Sequence, residues 1–116
     1  MNTPIAERPE SSNALVWLDG EHALVAREYE TGTLVTEVDR DWDARQAFLL
    51  RVAREVADCD RLVVMGPDRP RIEFEREYVA LYRRPDRLVD AGMELEPEPR
   101  VLVDRLRFLA PPQPSL

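Results

Sequence analysis

The stretch RLVVMGPDRPRIEFEREYVALY, residues 61–82, limits what this chain can fold into more than any other segment. It opens with Arg61-Leu62-Val63-Val64-Met65, a β-branched apolar run too short for a helix and closed by turn residues. Gly66-Pro67 ends that strand. Asp68 is then expected to cap a helix, with Pro70 tolerated in the first turn. Phe74, Tyr78, Leu81 and Tyr82 recur at helical spacing, which leaves Glu73, Arg76, Glu77 and Arg83 for solvent. A strand, a tight turn and an amphipathic helix in this order make one unit of an α/β sheet.

The segments before it supply the rest of that sheet. Residues 1–13 hold two prolines and little to bury, so they are expected to form a mobile arm. Ala14-Leu15-Val16-Trp17-Leu18 is a continuous apolar strand, the pattern of a central strand covered on both faces. Asp19-Gly20 reads as a type I′ hairpin turn, because glycine tolerates positive φ. The return strand runs from about His22 to Tyr29, and a third strand from Leu34 to Val38. Asp39-Arg40-Asp41 is expected to cap a first helix, whose apolar face is Ala44, Phe48, Leu49, Val52, Ala53 and Val56.

Because a helix separates the first strand from the one at Arg61, those two strands are expected to lie parallel. Beyond the second helix, residues 87–90 read as a short edge strand. A third helix follows, with Val101, Leu102, Leu106 and Leu109 as its buried stripe. The predicted order is β-β-β-α-β-α-β-α: a mixed five-stranded sheet with helices packed on it, the arrangement of an RNase H-like α/β domain at residues 14–110. Residues 111–116 form a proline-rich tail.

Charge narrows the function classes. The formal net charge of −7 argues against simple phosphate-backbone binding and against anionic membrane surfaces. All 16 basic residues are arginine, which GC-rich coding explains without any selected role. Cys59 is the single cysteine, so an internal disulfide and a thiolate metal cluster are both excluded, and a cytoplasmic setting is expected. The first residues lack a signal-peptide pattern, and no apolar run reaches membrane-spanning length.

Several of these residues together resemble a known family. An apolar strand containing Trp17 and ending in Asp19-Gly20 is similar to the opening of small bacterial relatives of the release-factor middle domain, proteins of translational-machinery or host-attachment type. Val64-Met65-Gly66-Pro67, then Arg71, Glu73 and Phe74, resembles that family's strand ending in Gly-Pro before a basic residue and a Glu-Phe pair. Leu95-Glu96-Pro97, followed by Leu102-Val103, is similar to its entry into the last helix. The Gly-Gly-Gln loop with which release factors hydrolyse peptidyl-tRNA is absent, the only glutamines being Gln46 and Gln113. The resemblance therefore implies the fold and a link to translation, with ribosome or RNA as partner, but not hydrolysis.

The candidate contact surface is the turn of Gly66, Pro67, Asp68, Arg69 and Arg71, where a helix start beside arginines could meet an anion or a partner. Asp68 and Pro70 weaken it as a phosphate loop. Asp19 and Asp68 end neighbouring strands and could hold a divalent cation in a nuclease, yet each has an ordinary duty as a turn residue or helix cap. His22 is expected on the surface, Trp17 in the core, Trp42 packed at a helix start, and Cys59 as a small residue at the core edge. Arg71 is expected to pair with Glu75 on a solvated helix face. The reading is a non-enzymatic binding module without cofactor. The alternatives are a metal-dependent nuclease and a protein–protein adaptor or homodimer joined through residues 87–90.

Overall fold

The computed structural model describes residues 9–29, 32–92 and 95–108. The expected tail at 111–116, Leu109 and most of the expected arm lie outside them. Three strands come first: β1 (Pro9–Leu18), β2 (His22–Tyr29) and β3 (Gly32–Asp39). Next come α1 (Arg45–Glu55), β4 (Arg61–Met65) and α2 (Asp68–Tyr82), then a 3₁₀ turn (Pro85–Arg87), β5 (Leu88–Gly92) and α3 (Pro99–Phe108).

The sheet order is β3-β2-β1-β4-β5. β1, β2 and β3 are antiparallel neighbours, while β4 runs parallel to β1 and β5 parallel to β4. This is the predicted mixed five-stranded, RNase H-like sheet. No helix among the described residues is long and apolar enough to cross a membrane.

β1 is unbroken in hydrophobicity because both its faces are covered. Ala14, Val16 and Leu18 join Val25, Leu62 and Val64 beneath α1 and α2, which contribute Phe48, Val52, Phe74 and Tyr78. Leu15 and Trp17 face the other way and join Leu24, Ala26, Val63 and Met65 beneath Leu102 and Leu106 of α3. Val16 stands opposite Val25 on one side and Val64 on the other. A one-residue slip would exchange the two cores, so register is firmly set.

Polar bonds finish the packing of α1 against α2. The Tyr78 hydroxyl donates to the Val56 carbonyl at 3.3 Å, and the Cys59 thiol donates to the same oxygen at 3.2 Å. Cys59 is wholly buried, and burial foremost pushes its thiol above the ordinary range. Burial likewise pushes the Tyr78 hydroxyl up to about 12.

Several local expectations are corrected. β1 begins at Pro9, inside the stretch read as an arm, and its buried Asn13 accepts a bond from Arg61 Nε at 3.0 Å. The β1–β2 turn is not type I′, since neither Asp19 nor Gly20 has positive φ. Instead, Asp19 Oδ1 accepts the backbone N–H groups of Glu21 (2.8 Å) and His22 (3.0 Å), so a side chain closes the turn.

Neither helix is capped as expected. Ala44 precedes α1 without a side-chain cap, and no acidic residue lies in the first turn, because Asp39 still belongs to β3 and Asp41 sits at φ 52° in the loop. Pro67, extended at ψ 152°, takes the cap position of α2, so Asp68 becomes its first residue and pairs with Arg71 rather than capping. Trp42 is 99 % exposed instead of packed. His22 is half-buried rather than free on the surface.

Candidate binding edge

Parallel pairing of β1, β4 and β5 brings their carboxyl ends to one edge of the sheet, the side where open α/β sheets bind their ligands. The loop leaving β4 begins with Gly66 at φ 129°. A Cβ at this position would stand 2.0 Å from the Leu18 carbonyl oxygen, so only glycine lets the turn lie this close to the end of β1. The Gly66 N–H donates to the Gly92 carbonyl at 2.8 Å. The turn is thus wedged between the ends of β1 and β5.

Arg71 holds it there. Only 8 % exposed, it donates from Nη1 to the Gly66 carbonyl at 2.6 Å and from Nε to Asp90 Oδ2 at 2.9 Å. Its Nη2 lies 3.0 Å from Asp68 Oδ1. The expected partner Glu75 is not its ion pair; Asp68 and Asp90 are. Three acceptors on three elements use up this guanidinium, and Asp68 is engaged with it. Of the five residues singled out in the turn, Arg69 is the exposed cation, with no ion pair among the described residues.

Arg69 and Pro70 line a cavity of about 100 Å³ together with Asp19, Gly20, Arg45, Phe48, Leu49 and Glu73. Its floor is apolar (Phe48, Leu49, Pro70), and its rim carries both signs of charge. Arg45 Nη1 lies 3.1 Å from both carboxylate oxygens of Glu73. Typical small-molecule sites measure roughly 300–1,000 Å³, so this hollow suits a single inserted side chain better than a whole ligand.

Asp19 and Asp68 do not converge on this hollow. Asp19 lines it and is spent on the hairpin turn, whereas Asp68 is absent from its lining. Among the described residues, no group of three or more His, Cys, Asp or Glu side chains is placed to hold a metal ion.

Two titratable clusters at this edge escaped the sequence reading. His22 Nε2 lies 3.0 Å from Glu96 Oε2 and its Nδ1 3.5 Å from Asp19 Oδ1, with its ring 5.5 Å from that of Trp17. Burial works against the imidazolium, but the Glu96 hydrogen bond and the charges of Asp19, Glu96 and Glu37 outweigh it and hold its pKa above the usual 6.5. The second cluster joins Glu75 of α2 to Asp90 of β5. Burial, then a hydrogen bond and the charge of Asp90, push the Glu75 carboxyl up to about 7. Asp90 is held below the usual range in spite of burial, because Glu75 and Arg71 both bond to it. Below neutrality the pair therefore carries one proton and one charge, the charge on the carboxylate that faces Arg71.

The sequence matches no protein-family profile and no curated protein sequence. Solved structures do match. Pelota from Archaeoglobus fulgidus is 18 % identical over 89 % of this chain and 32 % of its own, with a TM-score of 0.66. Thermoplasma acidophilum Pelota is 15 % identical over 76 % of this chain and 29 % of its own, with a TM-score of 0.57. The fold is shared. The third example is Dom34 of S. cerevisiae, a translation termination-like factor involved in RNA quality control pathways and interacting with Hbs1. It is 11 % identical over 72 % of this chain and 29 % of its own, with a TM-score of 0.54. The chain thus spans about a third of the length of these proteins.

Proposed function

We propose that this chain is a non-enzymatic binding module that works with the translation machinery in the cytoplasm, as a small relative of the release-factor middle domain. The observation that carries this reading is the fold it shares with Pelota over 89 % of its length, seen again in a translation termination-like factor. The contact runs through the turn of Gly66, Pro67, Asp68 and Arg69, with Arg69 as the accessible cation and Arg71 as the buttress behind it. A rigid turn suits this work, because little conformational freedom is lost when it docks.

The test is a pull-down of the intact protein from a lysate of its source cells, run in parallel with and without RNase. Recovery of ribosomal components or tRNA, lost on RNase treatment, is the expected result. Failure to recover ribosomal components or tRNA under either condition contradicts the reading. No observation favours the metal-dependent alternative, since Asp19 and Asp68 already hold the hairpin turn and Arg71.

A further inference from the structure

Trp42 stands wholly in solvent, 99 % exposed, on a loop that is firmly tied down. Arg40 does most of the tying. Its backbone N–H donates to the Glu21 carbonyl at 2.9 Å, its Nη1 to the Gly20 carbonyl at 3.3 Å and its Nε to the Asp43 carbonyl at 2.9 Å. The Asp43 N–H returns a bond to the Arg40 carbonyl at 2.9 Å. Arg51 of α1 donates to the Asp39 carbonyl and places Nε 3.2 Å from Asp43 Oδ2. Between these anchors Asp41 adopts φ 52°, a left-handed conformation uncommon outside glycine, and the next residue is the tryptophan.

The charge carried by this loop and its anchors is mainly negative. Glu21, Asp39 and Asp41 are exposed and form no ion pair among the described residues, Arg51 pairs with Asp43, and Arg40 donates to backbone carbonyls, so carboxylates outnumber guanidiniums here. Tryptophan platforms for nucleobases work inside basic grooves that attract phosphate; carboxylates here would repel it. Tryptophan is also among the residues that most often dominate protein–protein interfaces, and a rigid mounting reduces the entropy lost on docking.

We propose that residues 40–43 form a protein-docking epitope with Trp42 as its anchor, and that the partner is a protein surface with an apolar pocket edged by lysine or arginine. The exposed carboxylates give orientation and speed of encounter; the indole gives most of the affinity. This epitope is independent of the ribosome reading and uses none of the residues of the Gly66 turn.

A synthetic amphipathic helix of leucine and lysine, dye-labelled, serves as the probe, with a leucine–glutamate helix and oligouridylate as comparisons. Trp42 and the buried Trp17 are the only tryptophans, so a blue shift of emission on titration reports on Trp42. The expected result is a blue shift with the lysine peptide and binding that weakens as salt rises. Anisotropy should show Trp42→Ala losing about thirtyfold in affinity, as truncation of an interface anchor does. Glu21→Gln combined with Asp41→Asn should flatten the salt dependence while thermal melting stays unchanged. Equal binding by Trp42→Ala overturns the proposal, as does failure of the lysine peptide to bind at millimolar concentration. Protection of Trp42 by oligouridylate would mean RNA, equal binding of the acidic peptide would remove the charge argument, and a Trp42-dependent dimer in light scattering would mean a second copy. Each of these also overturns it.

Discussion

The guanidinium of Arg71 reaches Asp90 Oδ2 at 2.9 Å, and this contact locks the first turn of α2 to the end of β5. The same side chain closes the Gly66 turn through the carbonyl of that residue. A group that looks, in sequence, like part of a basic contact surface is therefore a brace within the fold.

Arg71→Ala should destabilise the protein by about 2–4 kcal/mol, because it strips partners from Asp90, Asp68 and the Gly66 carbonyl at once. Arg69→Ala, two residues away and exposed, should stay within about 0.5 kcal/mol of the parent. Urea unfolding of the two variants checks this contrast. Equal effects would show that Arg71 is not the brace.

The two strand-end glycines should differ sharply. Gly66→Ala brings a Cβ to 2.0 Å from the Leu18 carbonyl in a backbone conformation with φ 129°, so loss of soluble folded protein, or more than about 4 kcal/mol, is expected. Gly20→Ala meets nothing within 4 Å and should cost less than about 1 kcal/mol. Expression followed by thermal melting separates them, and a well-folded Gly66→Ala would contradict the wedged turn.

Much of the architecture could be read from the sequence because its signals are local. β1 and β4 are apolar runs that both faces of a central strand demand, and the helix between them fixes their parallel sense. The apolar spacing of Phe48, Val52, Phe74 and Tyr78 locates the buried faces of α1 and α2 in the same way. The site was less legible, because its partners are distant in the chain. Nothing near Arg71 announces Asp90, and Glu75 one turn on is the more obvious mate. His22 reads as a turn-side surface residue until the fold carries Glu96 to it. Asp39 and Asp41 look like a helix cap, yet Asp39 ends β3, helix α1 begins later at Arg45, and the loop between them holds Trp42 away from the core.

Stability should fall as pH rises across neutrality. The pKa of His22 is raised, so its stabilising contribution is complete below the unfolded value near 6.5 and is lost as pH climbs through the folded value. Glu75 works in the same direction. Its carboxyl is raised from 4.5 to about 7, so the folded state binds more protons than the unfolded state between those values, and raising pH weakens it there. Tm should be lower at pH 8 than at pH 6, and the slope shallower in His22→Gln and in Glu75→Gln. Glu75→Gln should also raise Tm at pH 8, where the parent must hold a second charge beside Asp90. A Tm that increases from pH 6 to 8, or variants with the parent slope, would contradict these assignments.

The central claim is that the Gly66 turn, led by Arg69, contacts the translation machinery. Co-sedimentation of the purified chain with ribosomes from its source cells, comparing the parent with Arg69→Glu at matched thermal stability, tests it most directly. The account predicts that the parent sediments with ribosomes and that Arg69→Glu stays in the supernatant while melting at the parent temperature. Equal sedimentation of the two proteins, or a parent that never enters the ribosomal pellet, would contradict it.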